Sequence, residues 1–182
     1  MKLKEWTKYF FFLVFLLALF SCNSQNTIKE NAPNIILIMA DDWSYPHAGF
    51  YGDSSVRTPT MDRLAQEGVV FEQAFVSAPS CTPSRAAVLS GQHFWKLGEG
   101  ANLFGRLPAE VPLYTRIMMD AGYAVGFTDK GWGPGSHDHL LTNPAGPYFE
   151  SFKDFTGKVA PDQPFCFWFG SYNPHRGYEE GS

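Results

Sequence analysis

An α/β fold, with a mainly parallel sheet between helix layers, is what the sequence predicts. Two observations carry that prediction. Residues 34–40 and 165–171 are short, continuous apolar runs rich in β-branched and aromatic residues, the pattern of strands buried on both faces. Between the strand-like runs lie segments with helical start and stop signals, and strand–helix alternation of this kind builds parallel sheets.

The elements follow in chain order. Lys2, Lys4 and Lys8 precede an apolar run from Tyr9 to Phe20, the layout of a secretory signal. The run is shorter than the ~20 residues a membrane span needs. Leu19-Phe20-Ser21-Cys22 is similar to a bacterial lipobox. That similarity implies lipidation of Cys22, a membrane anchor, and a periplasmic or outer-membrane-anchored protein. Ordinary cleavage nearby and an uncleaved anchor are the alternatives. Residues 1–22 are therefore read as signal, 23–32 as a polar tether, and 33–182 as the folded part.

Residues 34–40 form the first strand and end in Asp41-Asp42. Ligands of open α/β sheets bind beyond the carboxyl ends of strands. Two adjacent carboxylates there repel each other unless a cation joins them, and a hard divalent cation with oxygen ligands does so. Residues 59–68 read as a helix with Pro59 at its start and Gly68 as its stop. Met61 and Leu64 are expected to face the sheet, and Asp62 and Arg63 water. Residues 69–76 read as the next strand. The stretch 83–90 reads as a short helix with Thr82 as its N-cap, Pro83 in the first turn and Gly91 past the end. Cys81 then sits at a helix mouth, where anions bind, and Arg85 in its first turn. A small buried cysteine before an ordinary helix is the competing reading.

Residues 92–110 are irregular. A helix over 113–120 is stopped by Gly122, and a strand over 123–128 delivers Asp129-Lys130 to the edge that carries Asp41-Asp42. Residues 143–162 read as a loop or small insertion. The last strand, 165–171, holds Cys166 in its core and leads to Asn173-Pro174-His175-Arg176. A histidine at such a strand end is a candidate acid or base. A Cys81–Cys166 disulfide is an alternative open to an exported chain.

Cys81-Thr82-Pro83-Ser84-Arg85, followed by Leu89-Ser90-Gly91, closely resembles the sulfatase family signature. It departs at Ser90, where Thr is commoner. Asp41-Asp42, the 59–68 helix and Pro174-His175 match the family in order. Pro174-His175-Arg176 looks most like the N-sulfoglucosamine sulfohydrolase (heparan N-sulfatase) branch, with Asn173 where Asp is usual. The resemblance implies an alkaline-phosphatase-like fold and hydrolysis of sulfuric esters or sulfamates on sulfated saccharides. It also implies that a formylglycine-generating or sulfatase-maturating enzyme converts Cys81 to formylglycine, which attacks sulfur. Asp41, Asp42 and Cys81 are then expected to hold Ca2+, with Mg2+ as the alternative. Arg85 and Lys130 are expected to neutralise the sulfate, and His175 to protonate the leaving group or bind sulfate.

Family members carry Gly-Lys-x-His around the lysine. Here Asp129 and Trp132 replace the Gly and the His. His137 or His139 are candidates for the missing imidazole, Trp132 for stacking on a sugar, and Arg176 for substrate contact. The family's later Asp-Asn-like pair and second Lys do not occur by Ser182. The expectation is a front portion that by itself is inactive or poorly folded.

Two other classes remain open. One is a phosphatase or phosphonate hydrolase of the same superfamily. The other is a non-enzymatic binder of sulfated glycans. The formal charge of -4 becomes -6 once residues 1–21, with three Lys and one Glu, are removed. Nucleic-acid binders are normally basic, so none is expected as a partner.

Overall fold

The computed structural model describes residues 32–175. Cys22, Arg176, the signal and nearly all of the tether lie outside the described residues. Three strands, β1 (Ile35–Asp41), β2 (Ala124–Asp129) and β3 (Phe165–Pro174), form one sheet. Its order is β1-β3-β2 and both pairings are parallel. The helices are α1 (Pro59–Glu67), α2 (Cys81–Ser90), α3 (Tyr114–Asp120) and α4 (Phe152–Thr156). The predicted α/β class with a parallel sheet is thus observed.

Local chemistry explains the helix ends. Pro59 opens α1, where its missing N–H costs nothing, and the Gly68 N–H bonds the Leu64 carbonyl. Helix α2 closes on Gly91 at φ 65, whose N–H reaches the Ala87 carbonyl; a left-handed residue here favours glycine. Ser151 Oγ accepts the Asp154 N–H at the start of α4, a side-chain N-cap.

The core lies on one face of the sheet. Leu37 and Met39 of β1, Trp168 of β3 and Phe127 of β2 pack there against Ala86 and Leu89 of α2, with Leu97, Leu107 and Leu113. The opposite face carries an aromatic cluster in which Phe152 and Phe155 of α4 meet Phe165 and Phe167. Gly126 lets those rings lie on the sheet, because a Cβ there would stand 2.6 Å from the Phe149 ring and 2.9 Å from Phe155.

Several expectations are corrected. Helix α2 begins at Cys81, with Ser80 at the cap position. Pro83 still falls among the first residues, whose N–H groups lack an intrahelical partner. Residues 69–76 are not a strand: they run irregularly, with Val69, Phe71, Phe75 and Val76 exposed. Met61 and Leu64 of α1 are also exposed. Asp62 instead turns inward, and its Oδ1 accepts the Thr58 hydroxyl at 2.8 Å. Strand β1 is buried on one face only, because nothing among the described residues covers Ile36 and Ile38 on the other. The stretch 143–162 contains α4 rather than loop alone.

All three strands run the same way, so their carboxyl ends meet at one edge. A register shift after Met39 sets Asp41 opposite Pro174; such irregularities re-aim side chains. Just past β2, the Lys130 N–H donates to the Gly170 carbonyl at 2.7 Å. A Cβ on Gly170 would lie 1.9 Å from the Lys130 carbonyl oxygen and 2.8 Å from Trp168 Nε1. Only glycine permits this approach. Gly170→Ala should therefore push the Lys130 turn away from β3 and destabilise the fold by about 2–4 kcal/mol, measured as a lowered denaturant midpoint.

Candidate functional site

Helix α2 points its N-terminus, the positive end of its dipole, at the sheet's carboxyl edge with Cys81 as its first residue. Around the Cys81 thiol stand the groups that end each strand. Lys130 Nζ, after β2, donates to Cys81 Sγ at 3.2 Å, and also to Asp41 Oδ2. The Cys81 thiol lies 3.7 Å from Asp41 Oδ1. His175, after β3, stands close by, because donor atoms of Asp41, Cys81 and His175 all lie within 4.8 Å of one another. Asp42 falls outside that group; its Oδ2 is 3.7 Å from His175 Nε2.

Asp41 is buried between two cations, Lys130 and Arg85. Burial pushes its carboxyl pKa up, but hydrogen bonds and charge from Lys130 and then Arg85 outweigh it and hold the value below the ordinary one. Two cations on one carboxylate leave the triad with one excess positive charge.

Arg85 is not where the sequence reading put it. It is 2 % exposed. Its Nη1 donates to the Lys130 carbonyl at 2.7 Å and the Gly131 carbonyl at 2.8 Å, and its Nη2 reaches Asp41 Oδ1 at 3.4 Å. A guanidinium fork with fixed geometry suits such convergent oxygens. Arg85 therefore positions Asp41 and the Lys130 turn rather than meeting a ligand in the cleft.

The site opens into a cleft of about 970 Å³ lined by Cys81, Lys130, His137 and His175 together with aromatic residues. Trp132 also borders it, but is 3 % exposed and belongs to the core. Asn143 brackets its backbone, accepting the Trp132 N–H and donating to the Trp132 carbonyl. The proposed stacking face is thus buried. His139 is held away from the missing-imidazole role: Arg106 Nε donates to its Nδ1 at 3.0 Å, and its Nε2 lies 2.8 Å from the Leu107 carbonyl. His137 lines the cleft. Cys81 and Cys166 are both free thiols, so the disulfide alternative falls.

Thr82 was missed as a positioning residue. Its hydroxyl donates to the Leu103 carbonyl at 2.6 Å and accepts the Gly135 N–H at 2.9 Å, so the first turn of α2 ties both cleft walls. Only its place beside Cys81 signalled it.

A divalent cation is testable against this donor set. Asp41 and Asp42 supply the hard oxygen atoms such an ion prefers. Sulfur at position 81 does not, so the set fits better once that position carries oxygen.

The family model described as Sulfatase matches residues 33–181. The chain belongs to the sulfatase family. Human arylsulfatase D is 38 % identical over 75 % of this chain and 26 % of its own length. Pig N-acetylgalactosamine-6-sulfatase is 31 % identical over 89 % and 30 %. This sulfatase chain thus spans between a quarter and a third of the length of those curated relatives. Among solved structures, a protein in complex with its substrate D-glucosamine-2-N,6-O-disulfate superposes with a TM-score of 0.65, at 22 % identity, over 81 % of this chain and 35 % of that one. The phosphonate monoester hydrolase of Agrobacterium radiobacter gives 0.60, at 20 % identity, over 80 % and 42 %. These likenesses show the fold, which is the alkaline-phosphatase-like α/β fold of sulfatases.

Removing the Arg85 guanidinium leaves a buried carboxylate one partner short and two backbone carbonyls without their donor. Arg85→Ala should cost about 3–5 kcal/mol of stability, read by chemical denaturation. A cation that served only to hold substrate would leave the denaturation midpoint unchanged.

Proposed function

We propose that this chain carries the nucleophile and anion-binding part of a sulfatase that releases sulfate from a sulfated saccharide. The observation that supports it most is the meeting of Cys81, Lys130, Asp41 and His175 at one sheet edge, on the floor of an open cleft. The match to N-acetylgalactosamine-6-sulfatase, which runs over 89 % of the chain, favours a saccharide. Pro174-His175-Arg176 favours an N-sulfated glucosamine among saccharides.

Formylglycine at position 81 would supply the hydrated aldehyde oxygen that attacks sulfur, and a divalent cation, held by Asp41 and Asp42, would supply Lewis acidity there. The chain's own residues do the rest. Lys130 places its ammonium beside position 81 and offsets the charge on sulfate oxygens, a task that works best in a site fixed beforehand. The α2 N-terminus adds its partial positive charge to the same spot. Arg85 holds Asp41 and the Lys130 turn in place. His175 faces the cleft, where its imidazole can deliver a proton to the leaving oxygen or nitrogen. Asp42 stands beside that ring and orients it.

The same reading makes the mature protein an exported one, anchored through lipid at Cys22 and matured by an enzyme that oxidises Cys81.

Cys81→Ala should lower sulfate release from 4-nitrophenyl sulfate by at least ~10³-fold, as loss of a nucleophile does, while circular dichroism stays unchanged. Mass analysis of the Cys81 peptide should show the thiol replaced by an aldehyde. Chelation of divalent metal should abolish release, and added Ca2+ should restore it. Retained turnover in Cys81→Ala would defeat the mechanism. Faster release from 4-nitrophenyl phosphate than from the sulfate would move the reading to a phosphatase.

A further inference from the structure

The cleft holds a second group of residues that the reaction does not use. Phe104, Tyr148 and Tyr172 line it alongside Cys81, Lys130 and His175. They are 77 %, 53 % and 59 % exposed. Clustered exposed apolar groups mark binding sites on soluble proteins.

The two tyrosines are held in place. The Tyr172 hydroxyl donates to the Asp129 carbonyl at 3.2 Å, which anchors the ring at the sheet edge one residue from Lys130. Tyr148 packs edge-on against Phe127, with ring centroids 5.5 Å apart. Its flanks bond β2 directly, since Phe127 N–H donates to the Pro147 carbonyl and Phe149 N–H to the Phe127 carbonyl. Burial raises the Tyr148 phenol's pKa, and Glu150, Asp129 and Tyr172 raise it further. Tyr148, Tyr172 and Asp129 share the wall of one cleft. Asp129 lines the cleft as well, and its backbone takes φ 59 as the chain leaves β2.

Resting on the sulfatase reading above, we propose that Phe104, Tyr148 and Tyr172 form a collar for the pyranose ring of the sulfated substrate. Asp129 accepts hydrogen bonds from the ring's hydroxyls while Lys130 takes the sulfate. A pyranose has an apolar C–H face that suits aromatic rings and a rim of hydroxyl donors that suits a carboxylate, which only accepts. An aryl or steroid group would satisfy the rings but bury the Asp129 carboxylate without a donor, which is costly. A second sulfate on the ring would meet the charge of Asp129. The collar therefore selects a sugar with free hydroxyls next to the sulfate being cleaved.

The test uses the mature protein with three probes: glucosamine 6-sulfate, 4-nitrophenyl sulfate, and inorganic sulfate as a competitive inhibitor. Tyr148→Ala and Tyr172→Ala should each raise KM for glucosamine 6-sulfate roughly ten-fold, the size of an aromatic contact. Tyr148→Phe, which keeps the ring, should restore it. Asp129→Asn keeps a residue tolerant of left-handed φ and should raise KM for the sugar more than for the aryl ester. Inhibition by inorganic sulfate should hold its value in the tyrosine variants, because Lys130 is untouched, and should tighten or hold in Asp129→Asn, which removes a negative charge beside it. An unchanged KM for the sugar in both alanine variants overturns the collar. So does a parallel loss of sulfate inhibition, which would mark a structural role. If the unsubstituted protein releases sulfate from neither ester and not from N-sulfoglucosamine, the hydrolase reading fails instead. Calorimetric binding of glucosamine 6-sulfate then decides the collar alone: weakening by Tyr148→Ala supports it, and equal binding overturns it.

Discussion

Everything at the sheet edge depends on how one buried carboxylate is neutralised. Asp41 ends β1, is 5 % exposed, and is gripped by Lys130 and Arg85. A buried charge without a partner would cost several kcal/mol, so the fold is held to arrangements that bring both cations to it. Those cations come from the first turn of α2 and from the residue after β2. The single requirement of pairing Asp41 thus joins the ends of two strands to the start of the helix that bears Cys81. The site is assembled by the same interaction that closes this part of the core.

The strand ends carry a second constraint. Asp42 and Asp129 follow β1 and end β2 with φ of 56 and 59. Such angles are uncommon outside glycine, and aspartate is among the side chains that tolerate them. In both places the chain turns abruptly at the point where it leaves the sheet. That turn sets the Asp41 and Lys130 side chains inward while Asp42 and Asp129 look toward His175 and the cleft. Strained backbone of this kind gathers at functional sites; these two instances flank the same thiol, while a third, Asp162 at φ 63, falls in the turn before β3.

What could be read from the sequence divides along physical lines. The strands were legible because 34–40, 123–128 and 165–171 must hide apolar side chains, and the helix stops because Gly68, Gly91 and Gly122 have no good substitute. Cys81, Lys130 and His175 lie near one another because each ends or begins an element at one edge. The errors concern what covers a side chain. A continuous apolar run does not tell whether a layer covers the strand's second face, so β1 was read as buried on both faces. Residues 69–76 have strand-like composition but no neighbouring strand to pair with among the described residues. Trp132 looked like a ligand-facing ring because it follows Lys130, whereas the Gly131 turn and Asn143 fold it into the core. Arg85 looked like a ligand cation because its acceptors lie about 45 residues further along the chain, beyond anything local spacing reveals.

Arg85 and Lys130 share a carboxylate yet do different work, and side-chain chemistry decides which does which. A guanidinium is a rigid fork, weakly hydrated, and suited to fixed oxygens in a dry place. Arg85 spends three of its five donors on such oxygens, its carbon lies 5.7 Å from the centre of the Trp168 ring, and at 2 % exposure it does not face the cleft. An ammonium is a compact point charge with three donors. Lys130 uses one on Asp41 and one on Cys81, and with its side chain 15 % exposed the third hydrogen has the cleft before it. Exchanging the two residue types would reverse both advantages: a lysine at 85 cannot span the Lys130, Gly131 and Asp41 oxygens together, and an arginine at 130 would carry its charge past the thiol instead of beside it. The site's positive charge is therefore delivered by the side chain that reaches Cys81, and the geometry is fixed by the one that does not.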